Sequence, residues 1–385
     1  MQIVDLALQR SKYKHLTDDE WRWFLQQVEG RERTAEKLPT FAAIEDWWYP
    51  VRLSCEQCSS ELAARYKASL VSGETMVDLT GGYGVDTYFL SEQFQHTDYV
   101  EQNSELCRIA THNFSQPTPA LPKGKAINVH NCSAEDFLSS HNGEAGRGYD
   151  LIFIDPARRD SHGGKVFRLE DCTPNVVDLL PTLLAHGKRI MIKLSPMLDL
   201  TQAVTSLSQV SWDIYVVAIK NEVKEVLLLS GGSEQITAID LAKKEQVFVF
   251  TREEEQNCPS DIGHLSLDIG HYLYEPNAAI LKAGAYKLIA ERFGLHKLDI
   301  NTHLYASDTL VPDFPGRVWH IKDEGMKGER MKGEQANVLT RNYPLTPEQL
   351  KKKLHLRDGG TAYVIGCRVA GKPTLLFAER LEDIH

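Results

Sequence analysis

Along residues 76 to 101 the spacing of apolar positions changes twice, and each change marks an element. Met76 to Leu79 is an apolar run interrupted only by Asp78, which predicts a buried strand. Thr80-Gly81-Gly82-Tyr83-Gly84 predicts a tight turn. Val85, Tyr88 and Phe89 recur at helical spacing and predict a helix over 85–94, and Tyr99-Val100 opens a strand ending on Glu101. Strand, glycine turn, helix, strand is the unit that presents a nucleotide-like ligand to the carboxyl ends of parallel strands. The glycines let the backbone approach that ligand, and a carboxylate ending the second strand is placed to accept hydrogen bonds from two ribose hydroxyls.

Upstream the pattern is helical to about residue 75. Thr17-Asp18-Asp19-Glu20 reads as a helix start before Trp21, Phe24, Leu25 and Val28, with Gly30 as the end of that helix. Trp47, Trp48 and Tyr49 before Pro50 form an aromatic knot, read as an anchor onto the next domain in preference to a base-stacking site. From Ser59 a capped helix leads into the first strand, with Arg65, Tyr66 and Lys67 either near the ligand mouth or on a solvated face.

Downstream, a helix is expected over 105–114 and a strand over 126–130. The apolar run Tyr149 to Ile154 predicts a buried strand delivering Asp155-Pro156-Ala157-Arg158 at its carboxyl end. Further strands are expected over 189–194, 213–219 and 223–229, the last two joined by Lys220-Asn221-Glu222 as a tight antiparallel hairpin. The sheet is expected to end near Gly231-Gly232. Beyond it the pattern predicts a strand over 246–251, a charged loop over 252–260, and a helix from Tyr274-Glu275-Pro276-Asn277 through Phe293. After the linker 311–316 come a strand over 317–321, a mobile polar stretch over 323–334, a helix capped at Leu345-Thr346-Pro347-Glu348, and a hairpin of 361–369 with 374–379.

A length of 385 residues suggests two or three domains. No apolar run of 18 residues exists, and the first ten residues lack the apolar centre of a signal peptide, so a soluble, cytoplasmic protein without membrane partners is expected. Seven scattered cysteines argue for reduced thiols; Cys55 and Cys58 form a C-x-x-C with no second pair or nearby histidine, so no metal is expected. The net charge of −10 is uneven. Residues 316–385 hold thirteen basic residues against nine acidic ones, and this basic tail is the first place to look for nucleic-acid contact.

The glycine turn separates two kinds of ligand. A dinucleotide fold wants G-x-G-x-x-G, whereas the turn reads G-G-x-G, and Asp78 and Asp86 flank the place a pyrophosphate would take. Two carboxylates repel phosphate and suit a ligand with a cationic head. The stretch resembles motif I of the class I S-adenosylmethionine-dependent methyltransferases. The resemblance implies a Rossmann-like seven-stranded sheet, S-adenosylmethionine as cofactor, Asp78, Thr80, Gly81, Gly82, Gly84 and Asp86 about its methionine end, and Glu101 on its ribose. It also implies that Asn131, Cys132 and Ser133 lie against the adenine, although Ser133 stands where the family often has an acid. Asp155-Pro156 matches motif IV, which positions the acceptor, but Ala157-Arg158 replaces the proline and aromatic of enzymes that methylate exocyclic amines.

The segments Y-E-P-N-A-A-I-L-K-A-G, F-P-G-R-V-W-H-I and N-Y-P-L-T-P-E-Q-L-K-K-K-L-H-L-R-D-G-G make the resemblance more specific. They look like the bacterial family of class I methyltransferases with a C-terminal THUMP-like domain, a likeness that covers the chain from about residue 50. The organisation expected is an N-terminal helical region over 1–70, a methyltransferase domain over 71–232, an α+β, ferredoxin-like connecting region over 233–315 and a THUMP-like domain over 316–385. THUMP domains proper bind RNA, so the resemblance implies a structured RNA substrate, rRNA or tRNA, methylated on nitrogen or ribose oxygen. Asp155, Pro156 and Arg158 are then the candidate catalytic residues, and Arg158, Lys193, Lys351, Lys352 and Lys353 the candidate substrate contacts. A methyltransferase for protein or small molecules, and an RNA assembly factor without catalysis, are the rival readings.

Overall fold

The computed structural model describes residues 10–116, 126–140, 148–158, 168–241, 244–259, 269–324 and 333–381. Two compact units result, Met1–Asp213 with Glu225–Ser233, and Ile214–Lys224 with Glu234–His385.

The first unit opens with helix α1 (Asp18–Thr34), started by a capping box in which Thr17 and Glu20 satisfy each other's backbone N–H groups. It does not stop at Gly30, as the sequence suggested. Glycine is needed there because a Cβ would lie 2.2 Å from the Cβ of Tyr49. The aromatic knot is an anchor, as expected. Trp47 and Tyr49 are buried, Trp47 Nε1 donates to the Tyr83 hydroxyl at 3.0 Å, and the Trp48 ring stacks on His112 with centroids 3.6 Å apart. Cys55 belongs to the same apolar cluster, and burial pushes its thiol up to about 12.

Helix α2 (Glu61–Ser69), capped by Ser60, leads to strand β1 (Thr75–Asp78). Helix α3 (Val85–Ser91), strand β2 (His96–Val100), helix α4 (Ser104–Ser115) and strand β3 (Ile127–His130) follow. Strands β4 (Tyr149–Ile154) and β5 (Gly187–Leu194) complete a parallel series in the order β3–β2–β1–β4–β5. Between them runs helix α5 (Val176–His186), which the sequence reading did not anticipate. Strands β6 (Trp212–Ile219) and β7 (Glu222–Ser230) form the expected hairpin, turning on Lys220 and Asn221 at φ of 53° and 64°. Strand β7 lies antiparallel beside β5, Met191 facing Leu229 and Leu194 facing Val226.

Glycine in the turn between β1 and α3 serves the chain's own packing more than the sequence suggested. A Cβ at Gly81 would lie 2.1 Å from the Tyr99 ring, and one at Gly84, where φ is +82°, 2.6 Å from Phe114. A Cβ at Gly82 would meet only the Thr80 carbonyl at an ordinary 3.8 Å, and the φ of +55° there favours glycine. Gly81→Ala is therefore expected to destabilise the first unit by about 1–3 kcal/mol through overpacking against Tyr99. Urea denaturation followed by tryptophan fluorescence checks this, and an unchanged midpoint would show that the ring moves aside freely.

In the second unit the chain does not leave the sheet at Gly231-Gly232. Strand β8 (Gln235–Asp240) pairs parallel with β6, and β9 (Gln246–Thr251) antiparallel with β8. Residues 252–257, expected as loop, form a helix because Thr251 and Glu254 make a capping box. The expected helix over 274–293 is instead strand β10 (Tyr272–Pro276) and two short helices, Ala278–Ala283 and Leu288–Phe293, separated where Gly284 adopts φ +87°.

Strands β11 (His296–Asp299), β12 (Thr302–Ser307), β13 (Gly316–Glu324), β14 (Asn337–Arg341), β15 (Ala362–Val369) and β16 (Lys372–Arg380) join β10 in one sheet, ordered β11–β12–β10–β13–β16–β15–β14. The stretch read as mobile falls mostly outside the described residues. Two of the tail segments meet in this sheet. Glu275, 2% exposed, pairs with Arg317 at 2.5 Å and with Arg341. Among the described residues no helix is long and apolar enough to cross a membrane.

Candidate functional site

The carboxyl ends of β1, β2, β4 and β5 open onto a cavity of about 320 Å³ within the first unit. Its floor is the turn from Asp78 to Asp86; its walls include Glu101, the segment Cys132 to Glu135, Asp155 and Lys193. Parallel strands bring these residues together because each strand delivers its last side chain at the same edge.

Asp78 sits beneath the turn, accepting from Thr80 N at 2.9 Å and from the Thr87 hydroxyl at 2.5 Å. Burial pushes its carboxyl up to about 7 against those two hydrogen bonds, and the charges of Asp86 and Asp155 add to the rise. Between the ordinary value of 3.8 and about 7 the folded chain thus holds a proton that the unfolded chain has lost, so stability declines as pH rises through that window. Asp78→Asn should flatten the decline. Urea midpoints at pH 5 and pH 8, compared between wild type and variant, read it out; an equal drop in both would assign the effect to another group.

Glu101 is held by two backbone donors, Gly82 N at 2.9 Å and Asn103 N at 2.7 Å. The first of these bonds ties the glycine turn to the end of β2. Asn131 does not line the cavity; its amide donates to the carbonyls of Glu101 at 2.9 Å and Gln102 at 3.1 Å and so fixes the wall. Cys132 and Ser133 do line it, the Ser133 hydroxyl also accepting from Asp136 N at 3.0 Å. Thr80 reaches across to β4, where its hydroxyl accepts from Asp155 N at 2.7 Å.

The electrostatic centre of the site is a chain of ion pairs. Lys193 Nζ lies 2.6 Å from Asp155 Oδ2 and 3.5 Å from Asp86 Oδ2. Asp86 Oδ1 lies 3.1 Å from Nζ of Lys67, which in turn donates to Glu225 at 2.5 Å. The Ser59 hydroxyl donates to Asp86 at 2.8 Å. Burial opposes the charge on Lys193, but Asp155, Asp86 and Glu225 outweigh it and hold the ammonium well above its ordinary value. Burial likewise opposes ionisation of Asp86, and the two lysines overcome it, so its carboxyl stays below the usual value.

Asp86, read from the sequence as a cofactor carboxylate, thus already has two ammonium partners of its own. Lys67, which the sequence left between a ligand mouth and a solvated face, is fully buried on neither, and Glu225 was not singled out at all. The available signals were a lysine among the alanines Ala63, Ala64 and Ala68 on one helix face, and a lone acid ahead of the apolar run Val226 to Leu229.

Pro156 carries the chain out of β4 without lining the cavity, whereas Ala157 does line it. Ala157 and Arg158 pair with Thr173 and Cys172 in a two-residue ladder, and the Arg158 side chain lies outside the described residues. The lysine triplet belongs to the second unit, on a helix (Pro347–Leu354) capped by Thr346 and Gln349. Lys351 pairs there with Asp358, while Lys352 and Lys353 are exposed. Among the described residues no three His, Cys, Asp or Glu side chains group as metal ligands.

Two family models match parts of the second unit: a ferredoxin-like domain over residues 272–315 and a THUMP domain-like match over 320–380. The chain is similar nearly throughout to a candidate methyltransferase from Porphyromonas gingivalis W83. That crystal structure is 33% identical with a TM-score of 0.82, covering 95% of this chain and 92% of the other. An uncharacterized S-adenosylmethionine-dependent methyltransferase of Mycobacterium tuberculosis (strain CDC 1551 / Oshkosh) is 23% identical over 358 residues, 90% of this chain and 92% of the relative.

Proposed function

The chain belongs to the class I S-adenosylmethionine-dependent methyltransferases with a C-terminal THUMP-like domain, and from that premise we propose that it methylates structured RNA on a nitrogen or a ribose oxygen. The observation that carries the reading is the cavity itself. Glu101, held in place by two backbone N–H groups, and Asp155, tied to the partly buried Lys193, line one space at the strand ends.

The residues fit the cofactor. Asp78 suits the cationic amino end, since a nearby ammonium favours ionisation of a carboxyl poised at about 7. Glu101 accepts from the two ribose hydroxyls, and Cys132 with Ser133 bounds the adenine. Asp86 and Asn131 act one step back, the first bracing Lys193 and the second holding the backbone of Glu101. When bound, S-adenosylmethionine supplies an electrophilic methyl group. The chain's task is to hold the acceptor in line with that carbon and to exclude water, and positioning of this kind supplies most of the rate in such transfers. Asp155 orients the acceptor, and Lys193 keeps Asp155 in place.

RNA as the substrate class is supported by the THUMP-like match and by the basic tail that overlaps it. The test is transfer of a radiolabelled methyl group from S-adenosylmethionine to total RNA and total protein from cells lacking this chain. Label in RNA is the expected result. Label only in protein or small molecules would overturn the RNA reading, and cofactor binding with no transfer would favour an assembly factor.

A further inference from the structure

We propose that the acceptor atom is a hydroxyl oxygen, the ribose 2′-hydroxyl of RNA, received between the Asp155 carboxylate and the Lys193 ammonium. This rests on the RNA methyltransferase reading and narrows it to one atom type.

The first argument is the inventory of donors and acceptors. Both groups line the cavity, 2.6 Å apart. Asp155 Oδ2 is engaged by Lys193, and Asp155 Oδ1 accepts no hydrogen bond among the described residues. Lys193 carries three N–H donors, directed in part to Asp155 and Asp86. An acceptor group arriving there meets a carboxylate that wants a donor and an ammonium that wants an acceptor. A hydroxyl offers both functions at one atom. An exocyclic amine, its lone pair delocalised into the base, offers only donors and leaves the ammonium unmatched.

The second argument is charge. A neutral amine attacking a methyl group becomes positive as the bond forms, and a neighbouring ammonium opposes that change. A hydroxyl that gives up its proton becomes negative, and the same ammonium stabilises it. In the step proposed, the hydroxyl proton passes to the Asp155 carboxylate. The oxygen's electron pair forms the new C–O bond while the methyl–sulfur bond breaks and its pair returns to sulfur, leaving a neutral thioether.

The third argument is the turn after β4. The residue following Asp155-Pro156 at the cavity is Ala157, which offers no ring for a base to stack on. A ribose needs none.

Lys67 and Glu225 serve this arrangement from behind as positioning residues. Lys67 is fully buried between Asp86 and Glu225, and Asp86 bridges the two lysines. A fully buried lysine, a partly buried one and their carboxylates are a poor way to stabilise a core. They are a good way to fix one ammonium beside one carboxylate.

The deciding experiment treats RNA labelled by the full-length protein with alkali. A 2′-O-methyl group blocks cleavage of the adjacent phosphodiester, so label is expected in alkali-stable dinucleotides. In parallel, Lys193→Met should lower transfer about 100-fold or more, with RNA retention on filters within about threefold of wild type, as for a group acting at the reacting atoms. Lys193→Arg should recover part of the activity and serves as the folded comparison should the methionine variant fail to fold. Label released as methylated bases in mononucleotides would overturn the hydroxyl inference while leaving the RNA reading standing. Undiminished transfer by folded Lys193→Met would also overturn it, and absence of label from RNA would overturn both readings.

Discussion

Lys67→Met is expected to lower the unfolding free energy of the first unit by about 3–5 kcal/mol, because it leaves the buried Glu225 carboxylate without its counter-charge and Asp86 with one of two. The side chain is fully buried; its ammonium donates to Glu225 at 2.5 Å and lies 3.1 Å from Asp86. Methionine has similar length and adds apolar surface, so the loss measures unpaired charge more than lost volume. Glu225, 2% exposed, keeps the 3.5 Å hydrogen bond from the Ser59 hydroxyl, whereas Asp86 keeps Lys193. Adding Glu225→Gln to Lys67→Met should therefore restore about 1–3 kcal/mol, the penalty of one unsatisfied buried group. Urea denaturation of the two variants beside wild type is the measurement. A loss in Lys67→Met below about 1 kcal/mol would show the pair to be solvated, in the range of surface ion pairs.

Asp155→Asn is expected to reduce methyl transfer by about 100- to 10,000-fold, the usual contribution of a positioned proton acceptor. Asparagine keeps the size of the side chain and one carbonyl oxygen, yet it cannot take a proton and does not neutralise Lys193, 2.6 Å away in the native pair. Glu101 and Asp78, assigned to the cofactor, are untouched. Affinity for S-adenosylmethionine, followed by calorimetry, should then stay within about threefold while kcat/KM falls. A variant retaining more than about one tenth of wild-type kcat/KM would reduce Asp155 to a positioning residue. A parallel collapse of cofactor affinity would place it on the cofactor instead.

How much of this was legible in the chain varied with the range of the interaction. The unit from Met76 to Glu101 was readable because its signals are local: an apolar run, a glycine turn and helical spacing within 26 residues. The hairpin turning on Lys220-Asn221 and the one turning on Ala370-Gly371 were readable for the same reason. The ion pairs of Asp86 were not legible because its partners come from elsewhere, Lys67 from the helix before β1 and Lys193 from the end of β5. No spacing rule reports such pairs. Gly81 was assigned to ligand approach when the Tyr99 ring, eighteen positions on, is what excludes a side chain there. The helix at Arg252–Asn257 was missed although its signal is local, since three consecutive glutamates obscured the Thr251 and Glu254 capping box. Apolar residues at helical spacing hid the break at Gly284, where a left-handed residue ends one short helix before the next begins.

The chain crosses between its two units inside the β6–β7 hairpin, residues 214–224 counting with the second and 225–233 with the first. During synthesis the first unit therefore cannot finish when its last parallel strand emerges, since β7, which pairs with β5, follows a detour through the hairpin. The second unit in turn includes most of β6, along which β8 aligns from Ile214 to Ala218. A nascent chain stalled near residue 213 would expose the edge of β5 at Met191 to Leu194, an open row of backbone donors and acceptors. No single cut yields two intact pieces, so order of assembly, more than domain boundary, sets which fragments of this protein can stand alone.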